Sequence, residues 1–466
     1  MTKKLLLLFI SITFLVSCEK TENKGNVTVL SGQIVNPKSK YVLLEHTGNI
    51  SDTIYLDERG FFTHSFNQKE EGLFRIRHGE LQYIYLNPGD SIVFRVNTLE
   101  FDESLAFSGK GAEKNNFLID QFLKNETFNT NLPEEYKLEP AEFEKLIKNH
   151  QAVNNKKLNR FYKSSKSSDG FWTIAKANID YNYYSQKELY TTNHNFNYDE
   201  AEQNYPKDFY DYRSKINCDA TAFKNYYAYF SFLNRYFDNV AFDIYKKEAS
   251  FDRNSFVHNK TKLKLIDSVI KNEELKNQIL SSTVRRYLIN ADEIEDETKM
   301  IELFNTLDLK TEDQKRIKEY AERTSKINAG NKAPDLMLVN VDNESILLSD
   351  ITTQLTVLYF WSSNNIKHVK LIHSRVAELK SKFPEYQFIG INTDNNFKTW
   401  KKIVTNSGYN HKNEYQFDNA KKATSDLLIN TLNKAIILDK KGVILEGNSY
   451  IFNQNFESKL LGLINK

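Results

Sequence analysis

From residue 327 onward the hydrophobic pattern changes period repeatedly, and that alternation narrows the possible folds more than any other feature of the chain. The run Leu355 to Trp361, "LTVLYFW", is apolar apart from one threonine, as a strand buried on both faces must be. After a short polar turn, Ile366, Val369, Ile372, Val376 and Leu379 fall at helical spacing. A second strand, "YQFIGINTD", precedes a helix around "FKTWKKIV". "KAIILD" and "VILEG" read as two closing strands, and "FESKLLGLI" as a last helix. Alternation of this kind implies βαβ units on a partly parallel sheet.

The preceding residues have other periods. Between residues 27 and 108 lie eight short runs rich in β-branched and aromatic residues, from "VTVLSGQIV" to "SLAFSG". Turn signals such as Asn36-Pro37 and Asn87-Pro88-Gly89-Asp90 separate them, which predicts a β-sandwich. Residues 112–326 hold little Gly or Pro and carry apolar residues at helical spacing, as in "FEKLIKNHQAVNNKKLNRFY". Tyrosines crowd Tyr181 to Tyr236, either as an amphipathic core or as a stacking surface for a glycan or peptide.

The chain opens with Lys3 and Lys4, an apolar run of 12 residues from Leu5 to Val16, and Ser17-Cys18. That run has signal-peptide length and falls short of the roughly 20 residues a spanning helix needs. Leu15-Val16-Ser17-Cys18 resembles a bacterial lipobox, which implies cleavage before Cys18 and lipid on its sulfur. Acyl chains contribute about 0.8 kcal/mol per buried methylene, so a lipidated Cys18 would hold the chain on a membrane. Losing Lys3 and Lys4 would leave the basic side chains, 63 in the whole chain, balanced against 61 acidic ones. No global basic field then draws nucleic acid. The chain has 2 cysteines, so a lipidated Cys18 leaves Cys218 alone and no intramolecular disulfide. Stability must come from packed cores, for which 40% hydrophobic and 13% aromatic residues supply the material.

Two resemblances add to this reading. "LDERGFFTHSF", "YLNPGDSIVF" and "FSGKGAEKNNFL" are similar to the amino-terminal β-domain of unknown function that precedes thioredoxin domains in Bacteroidetes lipoproteins. "GNKAPDLMLVNVDNESILLSDI", "LTVLYFWSSNNIKH", "FIGINTDNNFKTW" and "KAIILDKKGVIL" resemble a thioredoxin-fold domain of the TlpA/ResA type. Matching Trp361 to the family tryptophan puts Asn365 at the nucleophilic cysteine and His368 at the resolving one. Matching Asp439 to the hairpin aspartate puts Asn433 where the family keeps a cis-proline. The turn therefore lacks the thiolate that disulfide exchange requires at a helix start. Ser362, Ser363, Asn364 and Asn365 are good N-cap residues instead. His368 and His373 sit about 140° apart around a helix, which does not suit a shared metal.

These readings predict a multidomain α+β protein. Residues 1–17 are a lipoprotein signal peptide, 18–26 a tether, 27–111 a β-sandwich, 112–326 a helical domain and 327–466 a thioredoxin-like α/β domain. The expected function is a lipid-anchored binding or scaffold protein of the cell envelope, on the outer membrane and facing the periplasm or the cell surface. No catalytic residue, metal or cofactor is expected. Its groove would be lined by Trp361, Asn364, Asn365, His368 and Asn433, with an envelope protein or peptide as partner. The alternative is a thiol–disulfide oxidoreductase of the TlpA/ResA family acting through Cys218 or a partner's thiol.

Overall fold

The structure is a computed structural model that describes residues 27–46, 49–165, 167–197, 205–290, 294–307, 311–409, 411–453 and 455–464. The signal, the tether and Cys18 lie outside the described residues. The chain forms two compact units. Of the described residues, one comprises those up to Lys124 together with Ser165–Phe171, and the other Asn125–Ser164 together with those from Trp172 on. This division differs from the expected boundaries at 111 and 326, because the helical region and the α/β domain pack as one unit.

In the first unit each of the eight apolar runs forms a strand. They are β1 (Val27–Val35), β2 (Tyr41–His46), β3 (Asn49–Tyr55), β4 (Phe61–Asn67), β5 (Gly72–His78), β6 (Glu80–Leu86), β7 (Ser91–Asn97) and β8 (Ala106–Lys110), with the short helix α1 (Phe101–Ser104) before β8. Two four-stranded sheets result, ordered β4-β1-β7-β8 and β3-β2-β5-β6. Strand β1 runs parallel to β7, with Leu30 opposite Ile92. Alternate residues point inward, so Leu30, Ile34, Ile92 and Phe94 of one sheet share an apolar cluster with Val42, Leu44, Phe74 and Ile84 of the other. The Asn87–Asp90 turn is locked from within. Asp90 Oδ2 accepts from Asn87 N at 2.8 Å and from the ammonium of buried Lys114 at 2.9 Å.

Helix α2 (Ala112–Glu135) begins here, and two asparagines in its first turns serve the outermost strands. Asn115 accepts from Tyr85 N at 2.7 Å and donates to Tyr85 O at 3.1 Å. Asn116 does the same for Phe107, at 3.0 and 2.8 Å. Each amide supplies what a further strand would offer, on β6 and on β8 respectively. Asn115 is buried and Asn116 is exposed. Asn115→Leu should therefore lower the stability of this unit by about 1–3 kcal/mol, and Asn116→Leu by less, since water can replace its bonds. Denaturant unfolding followed by circular dichroism reads the difference.

The second unit starts with helices. After the end of α2 come α3 (Pro140–Ser165), α4 (Asp169–Asn197), α5 (Tyr227–Tyr245), α6 (Phe256–Val269), α7 (Glu273–Asn290), α8 (Ile294–Asn305) and α9 (Thr311–Lys326). Tyr190, Tyr212, Tyr226, Tyr229 and Phe232 are buried rather than displayed. Tyr184 and Tyr212 stack with ring centroids 4.8 Å apart, and Tyr229 OH donates to Asn217 O at 2.8 Å. The aromatic stretch thus fills a core, and Tyr229 is among the residues whose hydroxyl is satisfied inside it. Asp238 is buried among Lys262 (2.7 Å), Arg253 (2.8 Å), His258 and Arg286. Burial pushes its pKa up, but these cations and the His258 hydrogen bond outweigh burial and hold it well below the ordinary range.

The α/β domain consists of β9 (Met337–Val339), β10 (Ser345–Leu347), α10 (Leu348–Ile351), β11 (Thr356–Trp361), α11 (Ile366–Lys382), β12 (Gln387–Asn392), α12 (Phe397–Ser407), β13 (Glu414–Phe417), α13 (Ala420–Asp426), β14 (Lys434–Leu438), β15 (Ile444–Tyr450) and α14 (Phe456–Ile464). Its seven strands run in the order β10-β9-β13-β12-β11-β14-β15. Strands β11, β12 and β13 are parallel, and β14 is antiparallel to β11. All residues of β11 are buried because both faces of the sheet are covered. Val357, Tyr359 and Trp361 meet Ile372, Val376 and Trp400 on one side. Leu358 and Phe360 meet Ala423 and Leu427 on the other, where Ile327 at the end of the helical region joins the cluster. Gly447 on β15 lets that segment approach, since a Cβ there would run into the Ile327 carbonyl.

Candidate functional site

The site lies where β11 ends and α11 begins. Asn365 is the N-cap of α11, and its side-chain oxygen accepts from His368 N at 3.1 Å. The residues before it are held by Asp394, in the loop after β12. Its carboxylate accepts from Ser362 Oγ at 2.7 Å, Ser363 N at 2.5 Å and Asn364 Nδ2 at 3.2 Å. Buried Asn392 donates to Ser363 Oγ at 3.1 Å and accepts from Gln416 Nε2 at 3.0 Å. Neither serine hydroxyl is hydrogen-bonded to an imidazole: Ser362 Oγ donates to the Asp394 carboxylate, and Ser363 Oγ accepts from Asn392.

The structure brings His368 and Asn433 together. Asn433 Oδ1 can only accept, so His368 Nε2 carries the proton and donates to it at 3.1 Å. His368 Nδ1 is left as a bare acceptor without a partner among the described residues. Burial lowers the His368 pKa, and the Asn433 bond only partly opposes this, so the neutral ring dominates at neutral pH. The ring meets Phe452 edge-on at 6.4 Å. Ile366, Leu371 and Phe452 are large apolar side chains left exposed. Asn364 and Asn365 are exposed on the same turn. Trp361 is a correction to the expected lining: it is 0% exposed and sits behind the turn, not on its surface.

What Trp361 touches is a feature that sequence reasoning missed. Its indole N–H donates to Glu414 Oε2 at 2.9 Å. Glu414, 2% exposed, also accepts from Tyr359 OH at 2.5 Å and faces His373 Nε2 at 3.2 Å. The His373 ring is stacked on Tyr409 at 3.7 Å, and its Nδ1 bonds Val369 O at 2.7 Å. Gly390 makes room, since a Cβ there would strike the Glu414 carboxylate and the Tyr359 hydroxyl. The available signal was "EYQF", a four-residue run too short and too polar to stand out as a buried strand. Cys218 lies elsewhere, in the helical region. Burial pushes its thiol up to about 11, so it stays protonated at neutral pH.

A parallel core, an antiparallel hairpin and a helix leading off the central strand define a thioredoxin-like domain at the carboxy terminus. The thioredoxin-like family profile matches residues 353–444. Among curated protein sequences none matches the chain. Solved structures similar to it include the thioredoxin domain of a thiol-disulfide oxidoreductase from Bacteroides vulgatus, with 18% identity over 29% of this chain and 98% of that one, and a TM-score of 0.25. A thiol:disulfide interchange protein from Bacteroides sp. gives 16% identity over 30% and 91%, with a TM-score of 0.26. A thioredoxin-like protein from Bacteroides caccae gives 13% identity over 59% and 92%, with a TM-score of 0.35.

Proposed function

We infer that this is a lipid-anchored cell-envelope protein whose thioredoxin-like domain binds a polypeptide and performs no thiol–disulfide exchange. The start of α11 carries the reading. Exchange needs an attacking thiolate and a second thiol to resolve the mixed disulfide. At the two matching positions Asn365 caps its own helix and His368 bonds Asn433. The exposed ring of Phe452, edge-on to His368, suits a peptide with a hydrophobic anchor. Among the described residues no helix is long and apolar enough to cross a membrane. The anchor is assigned to Cys18, on the outer membrane facing the periplasm or the cell surface. Cys18→Ala should accumulate unprocessed precursor and lose labelling by radioactive palmitate.

Disulfide reduction tests the central claim. The full chain should reduce insulin no faster than buffer. Asn365→Cys with His368→Cys should give slight activity, because the helix start would lower a thiolate pKa. Asn433, in place of the relatives' cis-proline, should keep it poor. Turnover by the unaltered chain, abolished in Cys218→Ser, would establish the oxidoreductase reading instead.

A further inference from the structure

A cavity adjoins the loop that carries Asn433. Where the end of α9 meets β15 and α14, the structure forms a partly open cavity of about 230 Å³, with room for several waters or one small molecule. Lys434 lines it from the first position of β14 and is 1% exposed. Its ammonium donates to Leu427 O at 2.9 Å and Leu428 O at 3.3 Å. An ammonium has three donors, so one is left over. Among the described residues no carboxylate pairs with Lys434. The other ionisable side chains lining the cavity are Glu446 and Lys459, and they neutralise each other at 2.6 Å. Glu446 also accepts from Asn448 N at 3.1 Å through its other oxygen.

A buried cation without a counter-ion is costly unless something completes it. Burial pulls the Lys434 pKa down to about 8, with Glu446 only partly opposing, as expected for a charge left short of partners. The cavity is larger than an isolated ion requires, and Asn254, Asn328 and Asn430 also line it. We propose that this cavity binds a small polar organic acid, with its carboxylate on Lys434 and its remaining polar groups beside these asparagine residues. The adjoining residue, Asn433, bonds His368, so occupation of the cavity bears on the loop that shapes the peptide groove.

The test is calorimetric thermal unfolding of the full chain with succinate, inorganic phosphate or sodium chloride at matched ionic strength. Succinate should raise Tm in a concentration-dependent manner at pH 7, beyond any effect of chloride. Lys434→Met keeps the aliphatic stem and should abolish the succinate shift. Should that variant fail to fold, the unaltered protein still decides. Loss of the proton from a group with a pKa of about 8 makes succinate bind about tenfold more weakly at pH 9 than at pH 7. No succinate shift, a shift equal to that of chloride, or one independent of pH would overturn the proposal. A shift with phosphate alone would overturn the organic-acid assignment. None of these outcomes depends on the redox assay, which reads the α11 turn.

Discussion

Replacing Glu414 with leucine should lower the unfolding free energy of the α/β domain by about 3–5 kcal/mol, one of the two largest losses expected from a single side chain here. The carboxylate is the shared acceptor for the Trp361 indole and the Tyr359 hydroxyl, and it faces His373. Leucine fits the volume but leaves these groups buried without a partner. Each unsatisfied donor costs about 1–3 kcal/mol, and relaxation will recover part of the sum. Glu414→Gln keeps one acceptor oxygen and should fall between leucine and wild type. Urea unfolding followed by hydrogen exchange on β11 and β12 would measure the loss where it originates. A change under about 1 kcal/mol would mean that the donors find other partners.

The second large effect belongs to the first unit. Lys114→Met should cost about 3–5 kcal/mol, because it strands the Asp90 carboxylate in a buried position. The ion pair is 2.9 Å long, with its side chains 7% and 5% exposed, so solvent does little to screen it. Methionine keeps most of the stem, so the loss is that of the charge and not of packing. Asp90→Asn combined with Lys114→Met should recover at least half of the loss, since removing both partners of a buried pair is far less damaging than removing one. Urea unfolding followed by far-ultraviolet circular dichroism tests the pair. Equal losses in the single and double variants would show that Lys114 acts through its contact with Asn87 instead.

The parts of the fold legible in the sequence were those encoded by local periodicity. The eight strands of the first unit alternate in hydrophobicity and end at turn residues. Strand β11 is a long apolar run, and the start of α11 is marked by N-capping residues. Those signals depend on neighbours in sequence. Strand β13 escaped because its four residues include a glutamate and a glutamine, buried only through partners on β11, β12 and α11. Contact between the helical region and the α/β domain also left little trace, since it depends on the missing side chain of Gly447.

At the candidate site, matching to relatives placed Asn365, His368 and Asn433 together, and the contacts among them are present. It also put Trp361 on the surface, because a tryptophan beside a turn reads equally well as lining or as core. Only burial distinguishes the two, and burial is a property of the whole sheet. The Asp394 clamp went unread for a related reason. An aspartate in the loop after β12 acquires a role only when parallel pairing brings β12 beside β11.

The placement of the tryptophans gives the molecule a built-in optical reporter. Of its 3 tryptophans, Trp361 and Trp400 lie fully buried in a single core, and Trp172 is on α4. The two core indoles share an apolar setting but differ in one respect. Trp361 donates to a carboxylate, whereas Trp400 Nε1 has no partner among the described residues. Their emission should be blue-shifted in the folded chain and move to longer wavelength when this half of the α/β domain opens. The sheets of the first unit contain no tryptophan and stay dark to that signal, so fluorescence reports on the second unit without a label.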